Sequence, residues 1–177
     1  MKEFILSLLI NHPVLFVCMV LSFVLTVLVY LAPDFTSDNL IISSEVNIGT
    51  FCGTFVHCDW SHWIGNMLLL IPVWSYADNL AGKPFVAIIV FTNMILTGVF
   101  GFVSGMRLCG LSGVVYMLVG LTAIIGNWLM FGFAIALFIS EIGLLGKQDR
   151  ISHVAHIIFF VIGIGIGLAR CVKGIFC

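Results

Sequence analysis

Ser112 has the sequence surroundings of a nucleophile. It lies in the string Gly110-Leu111-Ser112-Gly113, where flanking glycines permit a tight turn that leaves a hydroxyl accessible. A neutral histidine close to that hydroxyl can accept its proton, and His156 is the candidate for this general base. These residue types predict a Ser/His dyad, which requires no carboxylate. The alternative for the glycine and serine pattern is a patch of small residues that packs at a helix interface.

His62 and Asn66 are candidates for stabilising negative charge. They are four residues apart and therefore lie on one face of a helix. Both side chains can donate hydrogen bonds toward an oxyanion, and the free backbone N–H groups at the start of a helix can add to them. The alternative is a structural hydrogen-bond pair between two helices.

His153 and His156 raise the question of a metal site. Histidines three residues apart can share one ligand face, but we expect no Cys, Asp or Glu partner beside them to complete a metal-binding set. Glu141 is the one acid deep within an apolar run. We expect it to reach the membrane interface or to pair with another group, and not to act in catalysis. No metal and no other cofactor is therefore expected.

These polar residues belong to a chain that is too apolar for a soluble domain. Of its 177 residues, 62% are hydrophobic and 8% are charged, whereas soluble domains are about 25% charged. A net charge of -1 with seven Lys and Arg residues offers no basic patch, so no nucleic-acid partner is expected. The composition instead predicts an all-α integral membrane protein surrounded by a lipid bilayer.

Six apolar segments are predicted to span the membrane as one bundle. At about 20 residues per span, six spans need about 120 residues, so residues 1–177 are interpreted as a single domain with short connections. The predicted spans are 14–31, 60–77, 84–103, 112–126, 127–145 and 154–171, and the polar segment 33–59 is the predicted long outer loop. The junction of Gly126 and Asn127 is the weakest boundary, and without a break there the chain has five spans.

The polar clusters are predicted to meet in space. They occupy residues 57–66, 110–113 and 153–156, at the N-terminal ends of the second, fourth and sixth predicted spans. Because even-numbered spans start on the same side of a membrane, the clusters should lie at one membrane face and at similar depth. Polar residues within spans are costly enough to mark functional positions, so this convergence predicts a site.

Loop charges favour a cytoplasmic N-terminus. That orientation places Lys2, Lys83, Arg170 and Lys173 inside and Arg107, Lys147 and Arg150 outside. Four cations inside against three outside is a small difference under the positive-inside rule. The loop 33–59 supports the same orientation, because a loop with four acids and no Lys or Arg is tolerated on the outer side. An even number of spans then places both termini in the cytoplasm and opens the polar site to the outer side.

The six cysteines contain no CxxC pair, so neither a zinc ribbon nor a thioredoxin-type motif is predicted. Most are expected to be buried thiols. Cys52 and Cys58 share the long loop and could form a disulfide if that loop faces an oxidising compartment.

Three motifs together resemble those of the rhomboid family of intramembrane serine proteases. They are the string GLSGVVY at 110–116, the spacing His57-x4-His62-x3-Asn66 followed by Met67, and Ala155-His156 at the start of the last predicted span. The resemblance covers roughly residues 57–170 in order and spacing. Each motif alone is weak, but their joint occurrence is specific.

The resemblance implies a role for each matching residue. Ser112 is similar in position to the family's nucleophile and His156 to its general base. His62, Asn66 and the Ser112 backbone N–H correspond to the oxyanion hole. Tyr116, one helical turn after Ser112, resembles the residue whose ring packs on the catalytic histidine, and the alternative for it is ordinary core packing.

Further positions match the family less evenly. His57 is similar to a first-loop histidine that helps to keep the site hydrated. The Trp-Arg pair that many members carry in that loop is absent, and Ile48-Gly49 stand there instead. Phe159 occupies the position of a family glycine, although Gly163 and Gly167 still form a small-residue face that would let the last helix approach the fourth span closely.

The resemblance implies an intramembrane endopeptidase that cleaves single-span membrane proteins. The predicted six-span core is similar to the basic prokaryotic form of the family, which implies a bacterial inner membrane. Two other functions are weighed against it. An inactive rhomboid-like binder of membrane proteins would have lost the serine or the histidine, and a small transporter usually shows internal repeats, which we do not find here.

Overall fold

Helices dominate residues 2–147 and 152–174, which the computed structural model describes. The only extended pairing within these residues is an isolated β-bridge between Ile42 and Leu108. The helices are α1 (Lys2–Asn11), α2 (Pro13–Leu31), α3 (Pro33–Asn39), α4 (Gly49–Cys52), α5 (Trp60–Ala81), α6 (Lys83–Ser104), α7 (Ser112–Ile125), α8 (Trp128–Leu144) and α9 (His153–Val172), with a 3-10 turn at Gly53–Phe55. The predicted all-α fold class is therefore confirmed.

Three of the described helices are long and apolar enough to cross a membrane, namely α2, α6 and α9, with 19, 22 and 20 residues. The helices α7 and α8 are also apolar but shorter. Helix α5 has 22 residues but carries polar side chains along its length. Each of the six apolar segments predicted from the sequence coincides with one of these helices to within four residues at either end. The molecule thus has the helices of a membrane protein.

The junction of Gly126 and Asn127 does separate two helices. Helix α7 ends just before it, and the side chain of Asn127 caps α8 by accepting the Met130 N–H at 3.0 Å. The Asn127 N–H in turn donates to the Tyr76 hydroxyl at 3.2 Å. A helix start that is capped in this way satisfies an N–H group that would otherwise lack a partner. The predicted boundary is confirmed.

Two parts of the chain contain helices that the sequence did not predict. Residues Lys2–Asn11 form α1, and just after it the His12 imidazole donates to the Asp78 carboxylate of α5 at 2.6 Å. The segment 33–59, predicted as a loop, includes α3, α4 and the 3-10 turn. Helix α3 begins at Pro33, whose fixed backbone angle suits the first helical position even in a polar segment.

Helix α7 forms the centre of the bundle and packs closely against α9. Every residue of α7 from 113 to 123 is buried, as expected for a helix that is surrounded on all sides. A Cβ added at Gly120 would lie 2.1 Å from the Phe160 carbonyl oxygen, and one added at Gly163 would lie 2.1 Å from the Met117 carbonyl oxygen. The two backbones are therefore in direct contact, as the small-residue face predicted.

This contact predicts opposite effects for two glycines of α9. Gly163→Ala should lower the free energy of unfolding by about 1–3 kcal/mol, because the added methyl group has to push the helices apart. Gly165→Ala is the matched control, since nothing lies within 4 Å of its Cβ position, and it should be neutral or stabilise by less than about 1 kcal/mol. Thermal unfolding in detergent measures both. Equal melting temperatures for the two variants would contradict the packing described here.

Candidate active site

The three polar clusters meet at one cavity. It is lined by His62 from α5, Ser112 and Gly113 from the start of α7, and His156 from the start of α9. Its volume is about 30 Å³, which is enough for one or two water molecules. The predicted convergence of sequence-distant residues at the beginnings of these helices is therefore confirmed.

Two glycines let the chain pass close to the cavity on either side of Ser112. Gly110 has φ +100°, and a Cβ there would lie 2.9 Å from His62 Cε1. A Cβ at Gly113 would lie 3.1 Å from both Asn93 Nδ2 and a ring carbon of Phe159. Position 110 thus requires glycine for its backbone conformation as well as for space.

His156 is held by two neighbours. Its ring stacks on Tyr116 with centroids 4.3 Å apart and an angle of 13° between the planes, which is the ring contact that the sequence predicted. Its Nδ1 lies 3.1 Å from Glu141 Oε2. With Glu141 ionised, Nδ1 donates, and a neutral ring then has its lone pair on Nε2.

The Ser112 hydroxyl makes no hydrogen bond within the part of the chain that the structure describes. Ser112 and His156 line the same cavity, but no direct bond joins them. Catalytic hydrogen bonds are often long in empty sites and shorten only when substrate is bound. The Ser112 hydroxyl is thus unengaged in this structure, and His156 lines the same cavity.

The two candidate oxyanion residues differ in their environment. His62 lines the cavity, whereas Asn66 does not and lies buried one turn further along α5. The Asn66 amide donates to the His62 carbonyl at 2.9 Å, and its second N–H remains available. Asp59 caps the helix and accepts the His62 N–H at 2.7 Å. This bond fixes the backbone position of His62.

His57 is a fully buried link between two backbone segments. Its Nδ1 donates to the Phe55 carbonyl at 3.2 Å, and its Nε2 accepts the Leu111 N–H at 3.3 Å. Burial, and secondarily the neighbouring His62, lower the pKa of His57 to about 3, so the ring stays neutral in the physiological range. The neutral ring has one donor and one acceptor, which matches these two bonds.

The loop before α5 is anchored without the Trp-Arg pair. The backbones of Ile42 and Leu108 exchange two hydrogen bonds of 3.0 Å, and the Gly110 N–H donates to the Gly53 carbonyl at 3.2 Å. These bonds, like that of His57, end on the segment that leads into Ser112. The loop is therefore attached directly to the backbone that presents the serine.

Glu141 pairs with other side chains, which is one of the two alternatives expected from the sequence. It is 5% exposed, and it accepts hydrogen bonds from the Tyr116 hydroxyl, His153 Nδ1 at 2.7 Å and His156 Nδ1 at 3.1 Å. The expectation that the two histidines lack a carboxylate partner is wrong. An acid within an apolar run was the available signal, but its partners on other helices were not visible in the sequence.

The same three side chains could hold a metal ion. One ligand atom from each of Glu141, His153 and His156 lies within 4.8 Å of the other two. Imidazole nitrogen and carboxylate oxygen are ligands that suit zinc. In this structure, however, these atoms already satisfy one another through hydrogen bonds.

Comparison with known proteins adds no homologue. No protein-family profile and no curated protein sequence matches this chain.

Two cysteines lie side by side at the edge of this site. The Sγ atoms of Cys58 and Cys109 are 2.8 Å apart, and each cysteine adjoins a residue discussed above, His57 and Gly110. The sequence offers Cys52 as a partner for Cys58, but the Cys52 thiol donates to the carbonyl of Ile48, the residue just before its own helix. The geometry thus favours a different pair.

We expect oxidised glutathione to join Cys58 and Cys109 in a disulfide, because the two sulfur atoms need only a small rotation to reach bonding geometry. Mass spectrometry of non-reduced peptides should identify this link. Cys52→Ser should leave it in place, and Cys109→Ser should abolish it. A link between Cys52 and Cys58 would contradict the arrangement of the loop.

Proposed function

We propose that this chain is an intramembrane serine endopeptidase of the rhomboid type. The observation that carries the proposal is that Ser112, His156 and His62, from three separate helices, line one small polar cavity. The stacking of Tyr116 on His156 and the helix start at Ser112 support it further. A single apolar packing patch would not require this set of side chains.

The proposed reaction begins with attack of the Ser112 hydroxyl oxygen on a substrate carbonyl carbon. His156 Nε2 takes the hydroxyl proton as the bond forms and later gives it to the leaving amine. The negative oxygen of the tetrahedral intermediate is stabilised by His62, by Asn66 and by the Ser112 N–H, which has no acceptor within its own helix. A water molecule in the cavity then hydrolyses the acyl-enzyme by the same proton transfers.

The proposed substrates are membrane proteins with a single transmembrane helix. A helix in lipid hides its carbonyl groups in intrahelical hydrogen bonds, so the cleaved segment has to unwind before attack. Helix-breaking residues near the end of a substrate span would favour that unwinding. The polar cavity at the helix starts supplies partners for the backbone groups that unwinding exposes.

We propose six membrane spans, formed by α2 and α5–α9, with both termini in the cytoplasm of a bacterial cell. The site would then open toward the outer side of the inner membrane. Loop charges support this orientation under the positive-inside rule. Reporter fusions after residue 177 and near Glu45 should score on opposite sides of the membrane. Scores on the same side would refute the six-span arrangement.

A fluorophosphonate probe tests the proposed nucleophile. In detergent the probe should label the wild-type protein at Ser112, and Ser112→Ala should remove the label. Ser61→Ala is the control, because Ser61 is exposed and its hydroxyl is bonded to Asp59. The same preparations should cleave a single-span reporter substrate in parallel with labelling. Binding of that substrate with neither labelling nor cleavage would favour an inactive binder instead.

A further inference from the structure

Glu141 is a buried acid for which the proposed dyad has no use. It lies on α8 and is 5% exposed, among apolar helices where an unpaired carboxylate would be costly. Its position is compensated by three hydrogen-bond donors, one of which is the proposed general base. Three donors are more than are needed to pair one carboxylate charge.

The hydrogen bonds of the cluster favour one tautomer of His156. Oε2 of Glu141 faces Nδ1 of His153 at 2.7 Å and Nδ1 of His156 at 3.1 Å, and Oε1 accepts from the Tyr116 hydroxyl. With Glu141 ionised its carboxylate only accepts, so neutral imidazoles at these distances carry their proton on Nδ1. His156 then has its lone pair on Nε2, which is the form that can take a proton from Ser112.

We propose that Glu141 is a positioning residue that holds His156 in the tautomer and orientation of a general base. The inference rests on the proposed function, and it extends the Ser/His dyad to a Ser112–His156–Glu141 arrangement. Tyr116 makes two contacts in this arrangement. Its ring stacks on His156, and its hydroxyl donates to the second carboxylate oxygen of Glu141. Both contacts restrict rotation of the imidazole and of the carboxylate that orients it.

A metal site formed by Glu141, His153 and His156 is the competing explanation. A metal would bind the Nδ1 lone pairs, whereas the hydrogen bonds to Glu141 require N–H groups at those atoms. The distances of 2.7 and 3.1 Å are those of hydrogen bonds. Positioning needs no group beyond these side chains, and metal dependence is the outcome of the test that would favour a metal site.

Glu141→Gln is the informative variant because it keeps the size of the side chain. Its amide would present N–H groups to Nδ1 of His156, which favours the tautomer with the proton on Nε2. We expect kcat to fall by about 10²–10⁴-fold, as when a carboxylate that orients a catalytic histidine is replaced by its amide. KM should change little, and Glu141→Asp should recover part of kcat.

Nitrogen NMR of protein labelled with ¹⁵N-histidine separates positioning from a purely structural role. The His156 signal, assigned by its loss in His156→Gln, should report a proton on Nδ1 in the wild type and on Nε2 in Glu141→Gln. If Glu141→Gln does not fold, as judged by thermal unfolding, Glu141→Asp decides. A lower kcat with an unchanged KM in Glu141→Asp then supports positioning.

Three results would overturn the proposal. One is a folded Glu141→Gln protein, or failing that Glu141→Asp, with kcat within about threefold of the wild type. Another is a wild-type His156 with its proton on Nε2. The third is loss of wild-type cleavage in EDTA that Zn²⁺ restores, which would establish a metal site. Absence of both labelling and cleavage in the wild type would instead refute the proposed function. The His156 tautomer could still be measured by NMR in that case, so the two failures can be told apart.

Discussion

Ser112→Ala and His156→Ala are each expected to abolish cleavage of a single-span substrate, with a loss of about 10⁴–10⁶-fold in kcat. The reason is that nucleophile and base act as one unit, so removal of either leaves only transition-state binding. Both side chains line the same cavity, and His156 is held in contact with Tyr116 and Glu141. Initial rates of cleavage in detergent measure the effect.

His153→Ala is the matched control for the base. His153 also donates to Glu141, but it does not line the cavity with Ser112. We therefore expect this variant to retain most of the cleavage rate. If His153→Ala were inactive and His156→Ala active, the assignment of the general base would be wrong.

His62→Ala is expected to lower kcat by about 10–1000-fold with little change in KM, the range found for loss of a single oxyanion donor. The structure places the His62 ring in the cavity wall, whereas the Asn66 amide is partly engaged with the His62 carbonyl. We expect a loss in the same range for Asn66→Ala, and the larger of the two losses for His62→Ala. Full kinetic curves for the two variants separate kcat from KM.

Thr97→Val provides a control of similar size in the same cavity wall. The Thr97 hydroxyl is occupied by the Asn93 carbonyl at 2.7 Å, so its removal should leave kcat unchanged within about threefold. Loss of folding in His62→Ala or Asn66→Ala, with no selective loss of rate, would support the structural hydrogen-bond pair instead.

Much of the helical arrangement could be predicted from the sequence because membrane helices have strong local signals. Apolar runs of about 20 residues, bounded by Gly, Pro and Asn, gave the approximate limits of six helices. The meeting of Ser112, His62 and His156 followed from a simple parity argument, since alternate spans start on one side. Neither step required knowledge of side-chain packing.

Contacts between elements could not be predicted in the same way. Nothing in the spacing of Glu141 and His156, 15 residues apart on different helices, indicates that they touch. The pairing of Cys58 with Cys109 across 51 residues depends likewise on how two loops fold over each other. Such contacts arise from the packing of α8 against α9 and of the long loop against the segment before α7.

The attachment of the long loop has a consequence for how the chain can vary in length. Loops usually tolerate insertions and deletions, but the Gly53 carbonyl and His57 are bonded to Gly110 and Leu111. A one-residue change between Gly53 and His57 would shift one bond relative to the other and displace Ser112. Length variation should therefore be confined to the exposed stretch at residues 44–46, and the remainder of the loop is expected to keep a fixed length because it holds the backbone that leads into Ser112.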